Sequence, residues 1–291
     1  MLNADIQSIE NLRRFSHVSM ATTFEVFLVH PDALYAEQAA FAAFEELDRI
    51  ENNLSRFIPN SDVSRINSFG KAGSLPIGLS AFECLQISLQ MHKRTKGAFD
   101  ITFGSLHKGG NLLKLSEASH TIKLKTEGVK IDLGAIGKGY AADKMAELLV
   151  QWSIDTALIS AGGSTIVPIG TPAGMKGWPI AIFEPSDSKG ITAKIQLAGF
   201  ALSASGIQKG PHIIDPRKDM PAEGKIAAWA AAKTGACADA LSTAFMVMPL
   251  KDIRAFCTAH KDTSAFVIQP GKKNDAGGRV LSFGGWDKFI L

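Results

Sequence analysis

Asp239 and Thr243 stand four residues apart in the stretch from Ala238 to Val247. On a helix that spacing puts a carboxylate and a hydroxyl on one face, and both are hard oxygen donors suited to Mg²⁺ or Ca²⁺. A helix-initial Asp favoured by the dipole, beside a Thr bonded back to the preceding turn, would use the same two residues. A second candidate is residues 131–143, Ile-Asp-Leu-Gly-Ala-Ile-Gly-Lys-Gly-Tyr-Ala-Ala-Asp. An apolar, β-prone lead-in from Val129 to Leu133 meets Gly134, Gly137 and Gly139. Backbone amides at such a turn, next to a helix N-terminus and Lys138, suit a phosphate. The glycine spacing fits neither a Walker A loop nor the dinucleotide fingerprint. His212, ahead of Ile213-Ile214-Asp215-Pro216, could serve as a base because histidine titrates near neutrality, or could be a satisfied core residue. Asp100 closes Gly97-Ala98-Phe99-Asp100, which reads either as a polar site or as a helix stop before a strand.

The elements that must hold these residues are legible in outline. Residues 14–30 read as a strand, with Phe24, Val26, Leu28 and His30 alternating against Thr23, Glu25, Phe27 and Val29. Pro31-Asp32 then opens a long helix with Phe41, Phe44, Leu47, Ile50 and Leu54 on one face. Ser80 and Glu83 have the form of a capping box for a helix through Leu89 that ends near Gly97. The glycine loop feeds an amphipathic helix carrying Tyr140, Ala141, Met145, Leu148, Leu149 and Trp152. Strands are expected at 156–159, 179–184, 191–197, 199–203 and 225–233. A helix from 238 to 247 and another ending near His260 follow, divided by Pro249. The tail reads as a hairpin, 265–268 with 279–283, across a flexible Gly/Lys/Asn segment. Strands in mixed order with long helices between them indicate an α+β (mixed α/β) fold.

The chain has 291 residues, enough for a large core, with 46% hydrophobic and 20% charged residues, the balance of a globular enzyme. A net charge of +3 with no basic run gives no case for nucleic acid. Cys84, Cys237 and Cys257 lack metal-ligand spacing and read as free thiols. The first residues carry acids and no apolar h-region, and no window spans a membrane, so the expected location is cytoplasmic.

Taken in order, the motifs form a series. It runs Met20-Ala21-Thr22-Thr23-Phe24, Leu54-Ser55-Arg56-Phe57 with Ser61 and Asn67, Gly97 to Asp100, Asp132 to Gly139, Ala161-Gly162-Gly163, His212 to Pro216, and Asp239 to Thr243. That series, spanning Ser19 to Met248, resembles the ApbE family, the FAD:protein FMN transferases. The resemblance implies one domain over residues 1–291, with 249–291 as a C-terminal helix and hairpin. It implies mixed or antiparallel sheets flanked by helices and a FAD cleft between two intimately packed halves.

The activity it implies is Mg²⁺-dependent transfer of FMN from FAD to a threonine hydroxyl of an acceptor protein, with release of AMP. The acceptor threonine would sit in an Asp/Ser-Gly-Ala/Ser-Thr segment. By motif matching, Met20, Phe57, Ala98, Phe99, Asp100, Asp132, Lys138 and Ile214 would line the FAD site. Asp239, Thr243 and the Ala135 carbonyl would hold Mg²⁺, and His212, then Asp132, would be catalytic. The stretches from Asp100 to Asp132 and from Gly206 to His212 are shorter than is common in the family. Two alternatives therefore stand beside transfer: a Mg²⁺-dependent FAD pyrophosphatase and a non-catalytic FAD-binding protein.

Overall fold

The computed structural model describes residues 6, 9–106, 112–184, 187–208, 210, 212–271 and 278–290. The chain begins with β1 (Leu12–Ser19), β2 (Thr22–Val29), α1 (Ala33–Leu54), α2 (Asp62–Phe69), β3 (Gly73–Pro76) and α3 (Leu79–Arg94). It continues through β4 (Leu113–Ser116), β5 (Thr121–Leu124), α4 (Gly137–Gln151), β6 (Ala157–Ala161), β7 (Thr165–Ile169), β8 (Trp178–Glu184) and β9 (Asp187–Leu197). Then come β10 (Ala201–Gly206), β11 (Ile214–Asp215), β12 (Met220–Pro221), β13 (Ala227–Ala232), α5 (Gly235–Val247), α6 (Leu250–Ala259), β14 (Ser264–Gln269) and β15 (Arg279–Phe283). A 3-10 turn at Trp286–Phe289 closes the described chain.

The central element is an eight-stranded sheet, ordered β1-β2-β6-β7-β10-β13-β14-β15, with every neighbouring pair antiparallel. Alternate residues of each strand serve opposite faces. Phe24, Val26 and Leu28 of β2, Ala228 and Ala230 of β13 and Val267 of β14 pack toward the helices. Phe27, Trp229, Phe266 and Ile268 pack the other way, against Trp178, Ile180 and Ile195 of the β8–β9 hairpin and against Trp286 and Phe289. Three layers result: helices, sheet and hairpin. The alanines of β13 let α5, itself almost wholly buried, lie close on the sheet. Among the described residues no helix is long and apolar enough to cross a membrane.

Several local readings change. Residues 14–30 are a hairpin, not one strand: Met20 and Ala21 adopt φ of 51° and 56°, the left-handed pair that a two-residue turn demands. Neither residue type favours that conformation, so nothing local announces it. On α1, Phe44, Leu47, Ile50 and Leu54 are buried, but Phe41 is on the solvent side, 57% exposed. Asp32 caps that helix by accepting from the Tyr35 N–H at 3.0 Å. The Ser80–Glu83 capping box does not form. α3 starts at Leu79 behind Gly78, and Glu83 instead accepts from the Tyr140 hydroxyl and pairs with Lys144. α5 begins three residues earlier than expected, capped by Thr234. The strands expected at 179–184 and 191–197 form the separate hairpin β8–β9, while 199–203 joins the main sheet as β10. A small sheet ordered β3-β5-β4 was not anticipated. The tail hairpin forms as β14 and β15, and residues 272–277 of its Gly/Lys/Asn connection lie outside the described residues.

Candidate functional site

The glycine loop is held from both sides. The lead-in 129–133 joins no sheet. Asn67, on α2, takes the place of a neighbouring strand: its side-chain amide donates to the Ile131 carbonyl at 2.9 Å and its oxygen accepts the Ile131 N–H at 2.7 Å. The Asp132 N–H donates to the Ile101 carbonyl, which ties the loop to the segment after Gly97. The loop's amides are largely spent inside the protein. Those of Ile136 and Gly137 go to the Leu133 carbonyl, that of Gly134 to Asp132 Oδ1 and that of Gly139 to Asp239 Oδ2 at 3.1 Å. Four of the amides expected to face a phosphate are thus bonded within the protein, while the Lys138 ammonium lies at the same loop.

Gly139 has a packing role. A Cβ there would lie 2.2 Å from the Gly235 carbonyl oxygen, so α4 and α5 cross with their backbones in contact. Asp143, one turn along α4, accepts from the Gly235 and Ala236 amides at 2.6 and 2.8 Å and so caps α5. Burial pushes the Asp143 carboxyl up to about 6, although both amides favour its charged form.

This crossing presents Asp239 at the floor of a cleft of about 820 Å³. The residue is 3% exposed, with Ser203 Oγ at 3.3 Å from Oδ1 and Lys138 Nζ at 3.6 Å from Oδ2. Lys138 also donates to the Gly134 carbonyl at 3.1 Å, so a cation already spans Asp239 and the loop. Thr243, one turn beyond Asp239, has its hydroxyl 3.1 Å from Ser205 Oγ. Ser203 and Ser205 are alternate residues of β10 on its helix-facing side, a polar pair where apolar residues would be usual.

Ala98, Phe99, Asp100, Asp132, Ala135, Lys138, His212, Ile214, Asp239 and Thr243 all line this one cleft. Met20 and Phe57 do not. Met20 is spent in the hairpin turn, and Phe57 projects beyond α1, 79% exposed, with the Arg56 guanidinium over its ring. Arg56 itself lines the cleft, with Nη1 3.5 Å from Asp132 Oδ2. Arg56, Lys130, Asn67, Ser203 and Ser205 are polar residues at the site to which sequence reasoning gave no role. Arg56 and Asn67 stand within the motif series, and the inward-facing serines of β10 leave a pattern of their own.

Asp100 is held rigidly, its Oδ1 accepting from the Thr102 amide at 2.8 Å and hydroxyl at 2.6 Å, with His92 Nδ1 3.6 Å from Oδ2. The His212 Nδ1–H donates to the Gly210 carbonyl at 2.9 Å, an arrangement that leaves Nε2 as the acceptor.

The oxygen set at the cleft floor fits a hard dication: one buried carboxylate, neighbouring hydroxyls and loop carbonyls, with an ammonium already in place between them. Among the described residues no group of three or more His, Cys, Asp or Glu could enclose a metal. A dication here would therefore complete its shell with water and ligand phosphates, as Mg²⁺ commonly does.

The family model for the ApbE family matches residues 20–267. A protein named FAD:protein FMN transferase from Buchnera aphidicola subsp. Schizaphis graminum is 29% identical over 268 residues, 79% of this chain and 78% of that one. Its namesake from Escherichia coli (strain K12) is 27% identical over 246 residues, 70% and 69% of the two chains. The crystal structure of the ApbE protein of Thermotoga maritima superposes with a TM-score of 0.84 at 23% identity, covering 96% of this chain and 99% of that one. The apo flavinyl transferase ApbE of Pseudomonas stutzeri gives 0.82 at 24%, covering 96% of each. At these identities the structural matches establish the fold, and the sequence match over most of the chain establishes the kinship. The chain belongs to the ApbE family.

Proposed function

We propose that this protein is a FAD:protein FMN transferase, joining FMN through a phosphoester to a threonine hydroxyl of an acceptor protein and releasing AMP. The observation that carries the reading is the convergence of Asp239, Thr243, Lys138 and His212 on one cleft, whose volume lies in the range of roughly 300–1,000 Å³ usual for cofactor-sized ligands. The names borne by the relatives supply the reaction.

In that reaction the threonine oxygen forms a bond to the FMN phosphorus, the bond from that phosphorus to the AMP oxygen breaks, and the threonine proton leaves. His212, with Nδ1–H committed to the Gly210 carbonyl, takes that proton at Nε2. Lys138 and Arg56, which line the cleft, offset charge on the pyrophosphate. Phe99, Ile101 and Ile214 offer apolar surface to the rings, with Asp100 at its edge. Asp132 orients the loop through the Gly134 amide and restrains Arg56. Asp239, Thr243 and the Ala135 carbonyl are the residues that would hold Mg²⁺, which when bound supplies charge neutralisation at the phosphates.

The test is incubation with FAD, Mg²⁺ and a flavoprotein domain carrying an Asp/Ser-Gly-Ala/Ser-Thr segment, followed by mass spectrometry. An FMN adduct on the threonine is the expected result. Free FMN and AMP without an adduct would make the protein a pyrophosphatase, and intact FAD would make it a binder.

A further inference from the structure

Among the segments that line the cleft are the 98–104 stretch after α3, the 212–216 arm that carries His212, and α5 with Asp239 and Thr243. One side chain outside the cleft lining, Arg217, bonds to the second and third of these and lies beside Gly97, which leads into the first. The Arg217 guanidinium grips Asp215 at both oxygens, Nε to Oδ1 and Nη2 to Oδ2, each at 2.8 Å. The same Nη2 donates to the Val247 carbonyl at 3.1 Å, the last residue of α5. Arg217 Cγ lies 3.8 Å from the position a Cβ on Gly97 would occupy, so its stem runs beside the turn that leads into the Ala98–Asp100 wall.

The partners are fixed in their own right. Asp215 is 5% exposed, and its carbonyl accepts from the Lys218 and Asp219 amides at 3.1 and 2.8 Å. Burial works against the Asp215 carboxylate, but the Arg217 side chain and amide outweigh it and hold its pKa below the usual range. Lys225 donates to the Met246 and Met248 carbonyls at 3.1 and 2.6 Å, so Arg217 completes a cationic cap on the C-terminus of α5. A planar fork satisfying a carboxylate bidentately while reaching a carbonyl is a task for arginine; a lysine ammonium has neither the shape nor the span.

We infer that Arg217 is a positioning residue that locks the His212 arm to the end of the helix bearing Asp239 and Thr243, and thereby sets the base against the phosphate-binding floor. The inference rests on the transferase reading, since it is the proton acceptor that is being placed. A misplacement of about 1 Å at a reacting group costs on the order of 10²-fold in rate.

The experiment compares wild type, Arg217→Lys, Arg217→Ala and Asp215→Asn in FAD turnover with Mg²⁺ and an acceptor domain, alongside hydrogen–deuterium exchange of the amides from 212 to 219. Arg217→Lys is expected to lower kcat by about tenfold or more, to change KM for FAD by less than about threefold, and to speed exchange across the arm. Asp215→Asn should behave alike, and millimolar guanidinium should restore part of kcat to Arg217→Ala. Wild-type kcat or unchanged exchange in Arg217→Lys overturns the inference, and that variant decides the matter if Arg217→Ala does not fold. Wild type without FAD turnover would instead refute the transferase reading, leaving exchange alone to score the tie: faster exchange supports it and unchanged exchange sinks it.

Discussion

Replacing Gly139 by alanine adds one methyl group at the tightest backbone approach around the site. That Cβ would meet the Gly235 carbonyl oxygen at 2.2 Å and its carbon at 2.4 Å, both backbone atoms of the first turn of α5. An ordinary carbon–oxygen contact is roughly 3.3 Å, so α4 and α5 must part by about 1 Å. Gly235 has its own close neighbours, since a Cβ there would meet the Gly139 carbonyl at 2.7 Å and Val167 at 2.8 Å, so α5 cannot retreat without disturbing β7. Overpacking of this kind costs about 3 kcal/mol, the upper end of the usual range. For a chain of 291 residues that lowers Tm by roughly 5 °C. The separation also stretches the 3.1 Å bond from the Gly139 amide to Asp239 Oδ2, so FAD turnover should fall with stability.

The control lies two residues away. A Cβ on Gly137 meets only Leu133 Cβ at 3.9 Å, and the residue opens α4 in ordinary helical conformation. Gly137→Ala should match wild type or gain about 0.4–1 kcal/mol through a less flexible unfolded chain. Differential scanning calorimetry of the pair is the assay. Gly139→Ala melting within about 2 °C of wild type, or Gly137→Ala losing as much as its neighbour, would refute the close-crossing argument.

Three further outcomes are expected. Asp239→Ala should reduce Mg²⁺-dependent FAD turnover by about 10²-fold or more with an unchanged far-UV spectrum; activity at the wild-type level would remove Asp239 from metal binding. His212→Ala should lower transfer by roughly 10²–10⁴-fold with FAD affinity, read by flavin fluorescence, nearly intact; near-normal transfer would reassign the proton. Lys225 offers a pH test. Burial, then the nearby Arg217, pushes it down to about 8 from 10.5, so between those values the unfolded chain holds more protons than the folded one. Stability from this group therefore rises with pH across that window, by up to roughly 3 kcal/mol. Thermal melts from pH 7 to 10.5 should show wild type gaining on Lys225→Met, and a constant gap between them would contradict the assignment.

The sequence reading and the structure part company at identifiable places. A long period-2 run over residues 14–30 predicts extended chain, and both arms are extended. The turn between them depends on pairing β1 with β2 and β2 with β6, which pulls Met20 and Ala21 into a conformation that neither prefers. Ser80 and Glu83 have capping-box spacing, yet Glu83 is claimed by Tyr140 and Lys144 from α4, partners that local spacing cannot reveal. The glycine-rich turn before a helix and Lys138 suggests phosphate-facing amides, but those of Gly134, Ile136, Gly137 and Gly139 are bonded to Asp132, Leu133 and Asp239.

Residue order alone determined the α+β class, the long amphipathic α1, the pairing of Asp239 with Thr243 on one helix, and kinship with the ApbE family. Each of these is periodic or ordered along the chain, and so is written in it. Tertiary structure alone decided that Lys138 stands beside Asp239, that Ser203 and Ser205 back the same helix, that Arg56 enters the cleft while Phe57 does not, and that Arg217 joins the His212 arm to the end of α5. The bond from the Gly139 amide to Asp239 closes a hundred residues of chain. Ring closure of that length has an entropic cost nearly indifferent to which residues meet. The choice is made by packing instead, here by two glycines small enough to let α4 and α5 touch.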